Sequence, residues 1–330
     1  MSRSWGDNMP SNGSVDRDAH GRDATSPARI PAKGWWSVIK RVVSEVSADR
    51  IMLTAAGVTF YLLLALFPAL TAFVSIYGFV SDPATVAQHL TLLDGVLPSG
   101  GVELIETQLQ SLARQDPSAL SFGFVFGLLV ALWSANSGMK SIFDAMNVVY
   151  EEDEKRGFIK YNLMSLGFTL AALVAAMFFI ALIGIVPAVL AFLYLEGMTE
   201  FLIRFSRWPL MLFAVAFAFS VIYRWGPSRR KAKWRWVSWG SGFAAIAWLL
   251  VSIGFSWYLE NFANYNATYG SLGAVIGFMI WTWISVIILL VGAELNAELE
   301  HQTAVDTTRG PDRPMGERGA EVADSVAAES

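Results

Sequence analysis

The chain contains no cysteine and only three histidines in 330 residues. Without cysteine there is no disulfide framework, no thiolate nucleophile and no sulfur-bound metal. His20, His89 and His301 are too widely separated for any spacing among them to suit a metal, whereas metal-dependent hydrolysis asks for clustered His, Asp, Glu or Cys. The chain also lacks a Walker lysine motif, a dinucleotide glycine fingerprint and a nucleophile elbow. No catalytic residue, metal or cofactor is therefore expected, and the chain is not read as an enzyme. Charge is scarce as well: 16% of residues are charged, against about 25% in ordinary soluble domains. No cleavable signal peptide is expected, because residues 1–34 are polar and rich in Ser, Asp, Gly and Arg.

What is present is apolar length. Hydrophobic residues make up 54% of the chain and the mean hydropathy is +0.45. The charges concentrate near the two ends and in short clusters. Between the clusters run segments of roughly 20 or more residues with almost no charge, the length that a helix needs to cross the hydrocarbon of a bilayer. Of the 13 tryptophans, Trp133, Trp208, Trp225, Trp234, Trp236 and Trp257 lie at or near segment ends, where amphipathic rings favour the headgroup layer. The expectation is an all-α, polytopic membrane protein.

Six transmembrane helices are predicted within residues 35–300, flanked by disordered cytoplasmic tails at 1–34 and 301–330. Residues 34–50 form an amphipathic helix suited to the membrane interface. Span one, 51–80, contains Pro68 and should kink or tilt. Residues 82–117 carry two apolar stripes on either side of Pro98-Ser99-Gly100-Gly101, which predicts an amphipathic hairpin outside the hydrocarbon. Spans two to six follow at about 120–141, 161–195, 208–225, 236–258 and 271–293, with Gly184 and Pro187 breaking the third. Lys and Arg alternate along the successive connections as eight, one, three, two, six, none and three. The positive-inside rule then places both termini in the cytoplasm with an even number of spans.

Within WSANSGMKSIFDAMNVVYEEDEKR (residues 133–156), Asn136, Lys140, Asp144 and Asn147 share one helix face at the cytoplasmic end of span two. Two readings stand. In one, the hydrocarbon ends near Met139, Lys140 snorkels and Asp144 pairs with it. In the other, Asn136 and Lys140 line a cytoplasm-facing cavity and contact an anionic headgroup or substrate. Glu294, at the end of span six, either enters water or faces the bundle, pairing with Lys140 or Arg50 or carrying a proton. Asp49 is read as a polar cap, and Gly57 as a close helix contact. Gly123-xxx-Gly127 and Gly273-xxx-Gly277 also fit close contacts, and Asn261 to Tyr269 read as a polar outer loop. Arg229, Arg230, Lys231, Lys233 and Arg235 are expected to touch anionic lipid headgroups rather than nucleic acid.

AAGVTFYLLLALFP (55–68), the 133–156 stretch, YRWGPSRRKAKWRWVSWGSGFAAIAW (223–248) and YGSLGAVIGFMIWTWISVIILLVGAELNAELE (269–300) together resemble the YihY/virulence factor BrkB family of inner-membrane proteins, once mislabelled as a ribonuclease. The likeness covers about residues 35–300. It implies an all-helical, multi-pass protein of the cell inner membrane, not a settled reaction, and it supplies no catalytic residue. The function expected is that of a transporter or flippase-like protein for an amphiphilic or anionic substrate, with membrane lipids and a further copy of the chain as partners. The alternative is a non-transporting scaffold for the envelope acting through protein partners.

Overall fold

The break between the first two long helices shows how local chemistry shapes this molecule. Helix α1 (Ala32–Ala48) buries Gly34, Ser37, Val38 and Val42, a stripe at helical spacing. It ends at Asp49, whose N–H closes on the Glu45 carbonyl at 2.8 Å. Arg50 then adopts φ 51°, a left-handed conformation usually left to glycine. The Arg50 carbonyl accepts from Leu53 and Thr54 and so starts α2 (Ile51–Val80). The chain turns by 59° between α1 and the first part of α2.

The computed structural model describes residues 19–80, 117–180, 198–261 and 272–327. The expected hairpin at 82–117, the Gly184–Pro187 break and most of the Asn261–Tyr269 loop lie outside these residues. The remaining helices are α3 (Pro117–Val149), α4 (Phe158–Ile180), α5 (Met198–Trp225), α6 (Trp234–Asn261), α7 (Leu272–His301) and the short α8 (Glu321–Asp324). The described residues contain no strand, only an isolated bridge between Ala232 and Thr308.

Helix α7 is the centre, packed on α1, α2, α3 and α6, while α4 rests on α3 and α5 on α6. Indole N–H groups stitch these contacts: Trp248 to Ser285 and Trp281 to Ser252 between α6 and α7, and Trp283 to the Met52 carbonyl between α7 and α2. The backbones of α6 and α7 touch. A methyl added at Gly240 would overlap the Gly292 carbonyl and the Asn296 amide. Gly57 faces open space, so it does not make the close contact expected of it, and Gly277 lies only at ordinary contact distance from Leu259.

Three described stretches are long and apolar enough to cross a membrane: Phe158–Ala175, Trp234–Leu259 and Val275–His301. The bent α1–α2 pair makes a fourth if counted as one span, and Pro209–Trp225 is apolar but shorter. Against the six spans expected, the described helices thus offer three to four by length and composition. Their outward faces are apolar, with Phe126, Leu129, Trp133, Phe213, Leu250 and Ile253 all exposed, the exterior of a protein solvated by lipid.

The buried core gathers toward one end, around Phe143, Met146, Tyr150, Tyr223 and Leu290. A second cluster of Val38, Val42, Trp236 and Leu299 lies beside it. Residues 1–34 and 301–330 were expected to be disordered tails. Their described parts, 19–31 and 302–327, pack together over this end. Thr303 donates to the Ala24 carbonyl at 2.8 Å, Gln302 to that of His20, and Arg22 to that of Ala327 at 2.6 Å. Asp306 accepts from the backbone of Thr308 and Arg313, and Asp324 from Gly316, Arg318 and Gly319. Carboxylates that satisfy backbone donors let so polar a segment hold a shape with little apolar surface to bury.

Candidate functional site: a buried polar helix end

The last turns of α7 read GAELNAELE, a sequence that suits water. Yet Glu294, Asn296, Glu298 and Glu300 are all buried, between 0% and 6% exposed. Side chains two residues apart leave a helix on different sides, so each of these meets a different neighbour.

Glu294 lies beside Asp49 at the α1–α2 break, so that two carboxyl groups face each other at the buried end of α7. The charges of Glu45 and Glu298 also act on Glu294, whose Oε1 has no hydrogen-bond partner. Glu298 is held by the Arg41 guanidinium of α1, which also donates to Gln302 at 2.8 Å. Asn296 accepts from the Gly240 N–H at 2.8 Å and donates to the Val237 carbonyl at 3.2 Å. The absence of a Cβ at Gly240 is what allows this approach. Glu300 forms a buried ion pair with Arg229 at 2.6 Å and accepts from Thr307 at 2.6 Å. The Arg229 guanidinium lies over the Tyr150 ring, 4.9 Å from its centroid.

The α3 face takes other partners. Lys140 donates to Asn162 of α4 at 2.6 Å, and Asp144 accepts from the Tyr161 hydroxyl at 2.7 Å. Lys140 therefore pairs with neither Asp144 nor Glu294. Asn147 is buried, accepting from the Ser228 N–H at 2.7 Å and donating to Glu154 at 3.0 Å. The Asn136 Oδ1 is buried without a partner among the described residues. Burial works against ionisation of Glu154. Bonds from the Arg156 side chain and backbone and from Asn147 outweigh it, holding the carboxyl down at about 2. Arg50 is exposed on its left-handed turn. The structure thus separates Glu294 from Asn136, Lys140, Asp144 and Asn147, and brings it to Asp49 instead.

Among the expected headgroup contacts, Arg229 points inward to Glu300. Arg230 lies 4.0 Å from Asp306, and Lys233 lies 3.0 Å from Asp312. Lys231 and Arg235 are exposed. The described residues hold no group of three His, Asp or Glu placed to bind a metal. Sequence reasoning missed the role of Asp49, since nothing local distinguishes it from a helix cap. It also missed Arg41, one cation among several on an amphipathic helix.

The virulence factor BrkB family profile matches residues 42–316. A protein of Bacillus subtilis named YfkH and described as ribonuclease-like is 32% identical over 273 residues, 80% of this chain and 95% of that protein. A UPF0761 membrane protein of Chromohalobacter salexigens is 30% identical over 277 residues, and the chain spans 64% of its length. One from Vibrio campbellii is 26% identical over 267 residues, 78% of this chain and 80% of that protein. No solved structure matches. The apolar helices, the lipid-facing exterior and a match through nearly every described helix lead to one identification: the chain belongs to the virulence factor BrkB family of membrane proteins.

Proposed function

We propose that this chain is a multi-pass protein of the bacterial inner membrane that moves an amphiphilic or anionic substrate, in the manner of a transporter or flippase, and is not an enzyme. The observation behind it is a buried carboxyl, Glu294, 1% exposed and with its Oε1 unpartnered among the described residues, set beside a second carboxyl, Asp49. One carboxyl sits at the 59° bend between α1 and α2 and the other on the central helix. Ionisation of both would set two negative charges side by side in a buried place, which favours separation of the two elements. Proton occupancy is thereby coupled to the angle of a bend, the elementary requirement of a proton-coupled carrier. Six spans with both ends in the cytoplasm remain part of this reading. The hydrogen bond between Arg22 and Ala327 supports it, because chain segments in contact lie on one side of a bilayer.

Reconstitution into liposomes tests the proposal. Fluorescent phospholipid or a reporter anion should move faster than in empty vesicles, with a rate that depends on pH. Glu294→Gln keeps the size and polarity of the side chain but cannot ionise, so it should remove the pH dependence. Rates equal to those of empty vesicles would sink the idea.

A second reading, an envelope scaffold without transport, is favoured by the engagement of Lys140, Asp144 and Asn147 with neighbouring helices and loops rather than with open space. It expects a reproducible partner in detergent pull-downs and no effect of Glu294→Gln in cells.

A further inference from the structure

The connection from α5 to α6 and the helix turns at its two ends carry six cations. Arg229, Arg230 and Lys233 are each met by a carboxylate of this chain: Glu300, Asp306 and Asp312. Arg224 is not. It is only 4% exposed, and its Nε and Nη1 are buried with no hydrogen-bond partner among the described residues. Its guanidinium lies against two indoles, 4.4 Å from the Trp234 ring centroid and 5.1 Å from that of Trp225. Rings soften the loss of water around a cation but do not replace an anion.

The charges around Arg224 repel it. Arg309 acts on it electrostatically. The Lys231 ammonium sits 5.2 Å from the Trp225 centroid on the same pair of rings. The backbone holds these two cations together, because the Arg309 N–H donates to the Lys231 carbonyl at 2.8 Å beside the Ala232–Thr308 bridge. No ion pair joins any of the three to a carboxylate among the described residues. Two positive side chains on an aromatic floor, one of them buried with unpartnered donors, and a third cation held beside them by its backbone suit an anionic group.

The shape of that anion follows from the donors and from the adjoining surface. A guanidinium presents a planar fork that matches phosphate oxygens, and an ammonium adds a point charge. From Trp234 an exposed aromatic ladder runs along α5: Phe217 stacks 6.4 Å from Trp234, and Phe213 6.5 Å from Phe217. A free phosphate ion would leave this ladder uncovered. A phosphate ester carrying acyl chains satisfies both parts, with tryptophans at the headgroup level.

We infer that Arg224, Lys231 and Arg309, floored by Trp225 and Trp234, bind the phosphate of an anionic phospholipid whose acyl chain lies along Phe217 and Phe213. The site is distinct from the Asp49–Glu294 pair and does not depend on whether the chain transports anything.

The test uses the full chain in detergent, with binding followed by native mass spectrometry and by thermal shift. Phosphatidylglycerol should bind about tenfold more tightly than zwitterionic phosphatidylcholine. Arg224→Gln should abolish that preference, and so should the double variant Lys231→Gln/Arg309→Gln, whose exposed side chains are not needed for folding. Lys160→Gln, an exposed cation elsewhere, should keep it. A preference retained in both the Arg224 variant and the double variant overturns the site. Glycerol phosphate competing at the same concentration as the lipid shows recognition of phosphate alone and overturns the lipid assignment.

Discussion

Replacing Glu300 by alanine isolates the bond that closes the polar end of α7. Its carboxylate is fully buried and its partner Arg229 is 2% exposed, so neither charge can recover water without the end opening. The variant loses the ion pair and the Thr307 hydrogen bond, and leaves the guanidinium with the Tyr150 ring and a 3.3 Å bond from its Nε to the Arg230 carbonyl. Removing one member of a buried pair costs about 3–5 kcal/mol, and a lost neutral hydrogen bond about 1 kcal/mol. Local opening recovers part of this, so about 4 kcal/mol is expected. At about 2–4 °C per kcal/mol for a chain of this size, the midpoint falls by roughly 10 °C. The assay is thermal unfolding of detergent-solubilised protein, with limited proteolysis of residues 302–327 as a second readout. The informative control is Arg229→Met/Glu300→Met. It removes both charges and should lie closer to the parent than the single variant does. A single variant within about 2 °C of the parent, or a double variant worse than the single, would refute the reasoning.

Gly240→Ala should destabilise by about 2 kcal/mol or more, because the methyl meets the Gly292 carbonyl and displaces Asn296. Gly57→Ala, with open space around it, should be neutral or stabilise by about 0.5–1 kcal/mol, and differential scanning fluorimetry of the two variants checks the contrast. The cap over the buried end should loosen in acid. Glu154 is held near 2 rather than 4.5, and Asp306 and Asp324 are also lowered, each against burial and by hydrogen bonds. A carboxyl depressed in the folded state stabilises fully above its unfolded pKa, and that stability is lost as pH falls through the folded one. Protection against hydrogen exchange in 150–157 and 302–327, taken relative to the intrinsic rate at each pH, should therefore stay constant down to about pH 5 and fall below it.

The helical class was legible because a bilayer imposes it: long uncharged runs in the sequence became helices with apolar exteriors. The end of α5 at Trp225 was expected, whereas α5 begins at Met198 rather than near Trp208 and α6 begins at Trp234 rather than Trp236. The partners of polar groups were not legible. Lys140 reads equally well as pairing one turn along its own helix or crossing to another, and only tertiary packing selects Asn162. Asp49 and Glu294 lie at opposite ends of the chain, and no periodicity links them. The backbone contact between α6 and α7 uses Gly240 and Gly292, one from each helix, a pairing that no GxxxG spacing within one segment reveals.

Where α6 and α7 meet backbone to backbone, there is no side chain left to yield. Neither helix can roll about its axis or slip along the other without driving a carbonyl into a Cα. They therefore form a stator, a fixed frame against which any working stroke of this protein must be made by α1, α2 and the helices resting on them.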